Sequence, residues 1–224
     1  MAIQVQGNNG IVAEVDGTTF RALRVTGRPI EYGVLGHYSI AMVTGTMAVS
    51  LAANSEVFQF RWSDATRFAV VTQVSASASA LVAATAAALC SFRATIARGW
   101  TGIGTGGARA TLTGNNQKLR TSMGTSLVND IGCATTAALT PGTKTLDGQD
   151  MSAVGFSLMT GAITVQQSNQ FCPLTYLLNI DSSTDHPIVH AQNEGFVIRS
   201  GNAMPAGATW QGVFGCKWAE VTSY

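Results

Sequence analysis

Gly102-Ile-Gly104-Thr-Gly-Gly107 has the G-x-G-x-x-G spacing of a dinucleotide-binding turn. That chemistry needs the turn to end a strand and open a helix, so that the pyrophosphate meets the helix N-terminus. The residues that follow, Ala108-Arg-Ala-Thr-Leu-Thr-Gly114, cannot sustain a helix. The segment therefore predicts a glycine-rich loop. His186-Pro187-Ile-Val-His190 has the i, i+4 spacing of a zinc helix but lacks its glutamate, and Pro187 with β-branched neighbours makes it extended. In a strand, residues four apart are roughly 13 Å apart, too far to share a metal. Asp181-Ser-Ser-Thr-Asp185 carries two carboxylates but too few oxygen ligands for calcium, and reads as a turn. The cysteines Cys90, Cys133, Cys172 and Cys216 lie about 40 residues apart without a CxxC pair, which predicts small buried thiols rather than a zinc knot or a disulfide framework. No G-x-S-x-G elbow and no Walker loop occurs. The reading is a chain without catalytic residues, metal or other cofactor.

What must position these residues is β structure. Val57-Phe58-Gln59-Phe60-Arg61-Trp62 places Phe58, Phe60 and Trp62 on one face. Phe214, Cys216 and Trp218 alternate in the same way, as do Phe92, Ala94 and Ile96, and Tyr38, Ile40 and Met42. A period of two is the signature of an antiparallel sheet with one face on a core. Gly7-Asn8-Asn9-Gly10, Asp16-Gly17, Gly114-Asn115-Asn116, Pro141-Gly142, Asp147-Gly148 and Pro205-Ala206-Gly207 punctuate the runs as turns. The expectation is ten to thirteen strands in an all-β fold, an antiparallel β-sandwich of jelly-roll type. It forms a single domain over residues 1–224 with long Gly-rich loops and an N-terminal arm at 1–9. A chain hinged near residues 100–110 is the alternative. Helical signal is thin: Ala80 to Leu89 could form one or two turns, and Thr121–Asn129 is ambiguous. Phe68 to Phe92 is free of charge, but Ser75-Ala-Ser-Ala-Ser-Ala80 is too poor in Leu and Ile to drive membrane insertion.

Only 11% of the residues are charged, 13 basic and 12 acidic, against about 25% in ordinary soluble domains. The formal net charge of +1 and the lack of a basic stripe argue against a nucleic-acid partner. The N-terminus has neither a basic start nor an apolar run, so it does not read as a signal peptide. A freely diffusing protein keeps a charged surface for solubility. A chain without one is expected to bury much of its surface in an assembly. Trp62 and Trp218 lie on apolar strand faces and are expected in the core. Trp100 and Trp210 adjoin glycine loops and are expected to be exposed. Ile3, Val5, Trp100, Ile103 and Trp210 are accordingly the candidate interface residues, reaching neighbours from the N-terminal segment and the glycine loops.

Three stretches carry a resemblance in texture and order. They are Leu112-Thr-Gly-Asn-Asn-Gln-Lys-Leu-Arg-Thr-Ser-Met-Gly124, His186-Pro-Ile-Val-His-Ala-Gln-Asn-Glu-Gly-Phe-Val-Ile-Arg199 and Phe214-Gly-Cys-Lys-Trp-Ala-Glu-Val221. In these the chain resembles virion structural proteins of tailed bacteriophages, of the small β-rich capsid decoration or cement type. The resemblance implies a non-enzymatic role on the capsid surface of the virion, for a chain made in the host cytoplasm. It also implies a homotrimer whose partners are the major capsid protein and copies of itself, with no membrane and no nucleic acid. A tail, connector or fibre component, or a carbohydrate- or receptor-binding β-sandwich, are the alternatives.

Overall fold

The computed structural model describes residues 15–16, 22–23, 35–47, 50–128, 130–158, 170–180, 186–222 and 224. The chain divides into two compact units, Met1–Glu31 and Tyr32–Tyr224. In the first, β1 (Val15–Asp16) pairs antiparallel with β2 (Ala22–Leu23). The arm at residues 1–9 lies outside the described residues.

The second unit contains β3 (His37–Val43), β4 (Glu56–Trp62), β5 (Phe68–Val82), β6 (Ala88–Gly102), β7 (Ala108–Arg109), β8 (Asp130–Cys133), β9 (Thr143–Leu146), β10 (Ser152–Leu158), β11 (Gln170–Asn179), β12 (Ile188–His190), β13 (Glu194–Ser200) and β14 (Thr209–Val221). They form two antiparallel sheets. The larger has seven strands, in the order β10-β6-β13-β4-β8-β7 with β9 also on β6. The smaller has five, in the order β11-β5-β14-β3 with β12 also on β5. No helix occurs among the described residues.

The sheets pack face to face as a β-sandwich, through the aromatic residues that the alternation placed inward. Phe60 of β4 meets Trp218 of β14 edge-on at 5.4 Å, and Phe92 of β6 meets Phe214 of β14 at 5.1 Å. Phe58, Phe60, Trp62, Phe92, Phe214 and Trp218 are all fully buried. Ile96, expected among them, is only half-buried. Toward its end β6 is covered on both faces: Thr95, Ala97 and Trp100 are buried on the side away from the main core.

Two other expectations change. Ala80–Leu89 is not helical: β5 continues to Val82 and β6 starts at Ala88. Ala76, Ala78 and Ala80 point inward beneath the large rings, where only a small side chain fits, and tertiary packing overrides the helix preference of alanine. Residues 121–128 are irregular. The buried Glu220 carboxylate accepts hydrogen bonds from the Ser126 hydroxyl at 2.6 Å and the Leu127 amide at 2.9 Å, diverting that amide from any helical ladder.

His190 is a core residue. Its ring stacks on Phe196 at 6.1 Å and lies 6.2 Å from Phe60. Burial, aided by the positive field of Arg98, pushes its pKa down to about 3. The unfolded chain therefore binds a proton near pH 6.5 that the folded chain refuses, so stability falls as pH drops from about 6.5 toward 3. His190 is expected to account for on the order of 4 kcal/mol of that loss. Urea unfolding of His190→Leu across this range should show a correspondingly flatter pH dependence than the parent chain.

Candidate interaction surface

Because the inner faces are joined by aromatic packing, the two outer faces point in opposite directions. They differ sharply in charge. On the larger sheet, Arg61 donates to Asp130 at 2.6 Å, and also to the Trp100 carbonyl. Arg98 bridges Asp147 at 3.0 Å and Glu194 at 2.9 Å. Asp150 holds Arg199 at 2.8 Å and Arg93 at 3.3 Å, and accepts from Thr95 at 2.6 Å. The two arginines, with the Thr95 hydroxyl, hold its carboxyl below the usual range against the opposing effect of burial. Most charges of this face are thus spent on one another; Arg109 of β7 donates instead to the Gly104 carbonyl.

The most deeply buried of these pairs lies beneath the loop after β6. Lys144 of β9 reaches Glu56 of β4 at 2.8 Å, and the Gln59 amide donates to the same carboxylate oxygen at 2.6 Å. The Lys144 ammonium also donates to the Pro141 carbonyl and stands 4.4 Å over the Trp100 ring. Burial lowers the Lys144 pKa, and the hydrogen bond and charge of Glu56 oppose that shift. Together these bonds pin the Gly-rich loop after β6 and the strand β9 over the outer face of β4. The motif at 102–107 leads into β7, not a helix, and Gly106 and Gly107 both have positive φ, so it turns the chain rather than opening a nucleotide site.

This covering corrects the tryptophan expectation. Trp100 is fully buried: after Gly99, whose φ is +58°, it folds back against Ala97, Val197 and Leu146, and its indole N–H donates to the Gly102 carbonyl at 3.1 Å. Trp210 is also fully buried, 5.6 Å from Phe92 in the main core. Neighbouring glycines signalled loops, but the positive φ of Gly99 turns Trp100 back inside, and Trp210 falls on the inward side of β14 with Phe214 and Trp218. Neither ring is available as an exposed contact. Ile103 is 40% exposed, on the covering loop. Ile3 and Val5 lie outside the described residues, as do Asp181 and Asp185. The His186 ring Nδ1 donates a hydrogen bond to the Pro187 carbonyl at 2.6 Å. The four cysteines are free and buried, and burial raises each thiol pKa, to about 12 at Cys133.

The outer face of the smaller sheet is built differently. Register places Tyr176, Ser75, Gly215 and Ala41 in one row across β11, β5, β14 and β3. The next row holds Ser77, Val213 and Val43, and Ser79 lies opposite Gln211. In the row of Gln73, Lys217 and Ser39, Lys217 is the one charged residue among these positions. Tyr176, Val213 and Val43 are 49%, 38% and 62% exposed. The alternation Ser75-Ala-Ser-Ala-Ser-Ala80 is the sequence signal for this face, with alanine inward and serine outward. Small, uncharged side chains make a surface that costs little to desolvate on contact.

No protein-family model, curated protein or solved structure matches the chain.

The buried pair supplies a test of how firmly the covering loop is held. Lys144→Met leaves the Glu56 carboxylate buried without its cation and should cost about 3 kcal/mol in chemical denaturation. Adding Glu56→Gln removes the stranded charge and should recover a large part of that loss.

Proposed function

We propose that this chain is a subunit of a multi-copy particle, a non-enzymatic virion structural protein of the capsid decoration type. It docks on the major capsid protein through the nearly uncharged outer face of β11, β5, β14 and β3, and so stabilises the head. The observation that carries this reading is the segregation of charge: one outer face neutralises its charges internally, and the other is almost devoid of them. An exposed face with that composition gains solubility from neither charge nor charge pairing, and it fits a surface that is covered in the working state.

The mechanism is mechanical. Each contact of a face lined with serine, alanine and valine is weak. Several copies held together engage several sites on the particle at once, which raises the effective affinity by about 100-fold or more. Self-association supplies the copies, and the resemblance to decoration proteins implies three. The same face would serve a tail or connector protein equally well, and the copy number per particle separates the two. A glycan platform built on Trp100 and Trp210 loses its support, because both rings are in the interior.

A charge placed on the docking face tests the reading. Val213→Asp should leave the fold intact, since the side chain points to solvent, and should weaken particle attachment by at least ~10-fold, as an unpaired desolvated charge costs more than about 1.4 kcal/mol. Thr145→Lys on the opposite face is the control and should bind like the parent chain. Unchanged attachment of Val213→Asp would refute the assigned face.

A further inference from the structure

We propose that the buried cluster beneath the loop after β6 is a self-crosslinking site. The Lys144 amine attacks the Gln59 carboxamide, Glu56 moves the protons, and an isopeptide bond ties β9 to β4 with release of ammonia. The bond lies on the face opposite the docking surface and does not rest on it.

Glu56 stands between nucleophile and electrophile. Its Oε2 accepts from the Lys144 ammonium at 2.8 Å and from the Gln59 side-chain amide at 2.6 Å. Two donors on one carboxylate oxygen stand about 4–5 Å apart, one side-chain turn from the roughly 3–3.5 Å of a near-attack contact. Regular strand alternation would send Glu56 and Gln59, three residues apart, to opposite faces. β4 escapes this through a bulge: Ile198 pairs with Phe58 and Arg199 with Glu56, which leaves Val57 as an extra residue. Val57 and Phe58 both enter the core, and Glu56 comes round to the side of Gln59. Bulges re-aim side chains in this way and are over-represented next to active sites.

The Gln59 amide is held for attack. Its Nε2 also donates to the Thr140 carbonyl at 2.9 Å, and its Oε1 accepts from the Arg109 guanidinium at 3.5 Å. These partners fix which end of the amide is nitrogen. They also set a cation beside the oxygen on which negative charge develops. Two glycines make the room. A Cβ at Gly104 would strike the Thr140 carbonyl and crowd Gln59 Nε2, and one at Gly132 would strike the Arg109 guanidinium. Glu56, Gln59 and the Lys144 side chain are almost wholly buried, which keeps out water, the competing nucleophile. An ion pair alone needs neither the amide nor the second cation.

The steps balance without oxidant or reductant. A proton passes from Lys144 Nζ to Glu56, since burial disfavours the separated charges. The neutral amine is released from its cationic contact with the Trp100 ring, and its lone pair attacks Gln59 Cδ. The carbonyl electrons move to Oε1 beside Arg109. Glu56 gives its proton to Nε2 and takes a second from Nζ, and the Cδ–Nε2 bond breaks. The departing ammonia takes that second proton and leaves as ammonium. Glu56 is again a carboxylate, and the Cδ–Nζ amide remains. Each chain reacts once, and the ion-pair test of Lys144→Met belongs to the chain before the bond forms.

The test is the intact mass of the purified full chain, folded and incubated near neutral pH. It should be lighter by one ammonia, about 17 Da, than the same chain purified in denaturant and never refolded. Digestion should then yield one peptide pair joined through Gln59 and Lys144. Glu56→Gln keeps the shape of the shuttle but not its basicity, and should slow linkage by at least ~100-fold at an unchanged circular dichroism spectrum. If that variant does not fold, the mass and peptide map of the parent decide the matter. A folded parent that keeps its full mass overturns the proposal, as does ammonia loss that maps to other residues. Loss of water in place of ammonia would put the bond at Glu56 and overturn it too. Linkage of a folded Glu56→Gln at the parent rate would remove the shuttle on which the proposal depends.

Discussion

Aromatic packing across the sandwich is the constraint on which the rest depends. β14 sends Trp210, Phe214 and Trp218 inward, and they meet Phe92 and Phe60 from the facing sheet at 5.1 to 5.6 Å. Rings of that size fit only because β5 contributes Ala76, Ala78 and Ala80 beside them. The alternation that sends alanine in sends Ser75, Ser77 and Ser79 out. The uncharged outer face is therefore the other side of the same packing solution, and neither half can change without the other.

The larger sheet solves a different problem. Its outer face is folded over by the loop after β6 and by β9, and that covering brings ionic groups into low-polarity surroundings. A buried ion pair adds little net stability but is costly to break. Glu56, Lys144 and Gln59 thus act as a latch that specifies where the loop lies. The exposed pairs around Arg98 contribute little to stability. Their consequence is electrostatic: they cancel locally, and the face presents no strong field of either sign.

Much of the fold was legible in the residues. Period-two alternation around Phe58–Trp62, Phe214–Trp218 and Tyr38–Met42 identified the strands and their inward faces, since a half-buried strand can satisfy its core in only one register. The surface was less legible. Trp100 and Trp210 were misjudged because a flanking glycine signals a turn without saying on which side of it the ring falls. The latch was out of reach: Glu56 and Lys144 are 88 residues apart, and nothing in either neighbourhood names the other. The serine–alanine alternation was visible, yet as sequence it spoke only against membrane insertion. Its meaning as a nearly uncharged face required the registers of β14 and β3 beside it.

The central claim is that the neutral face is covered in the working state and the ion-paired face is open. Hydroxyl-radical footprinting of the chain, free and bound in its particle, compares them directly. The account requires Val43, Tyr176 and Val213 to lose labelling on assembly while Ile103, on the loop over the opposite face, keeps it. Loss at Ile103 with Val43, Tyr176 and Val213 still labelled would contradict it.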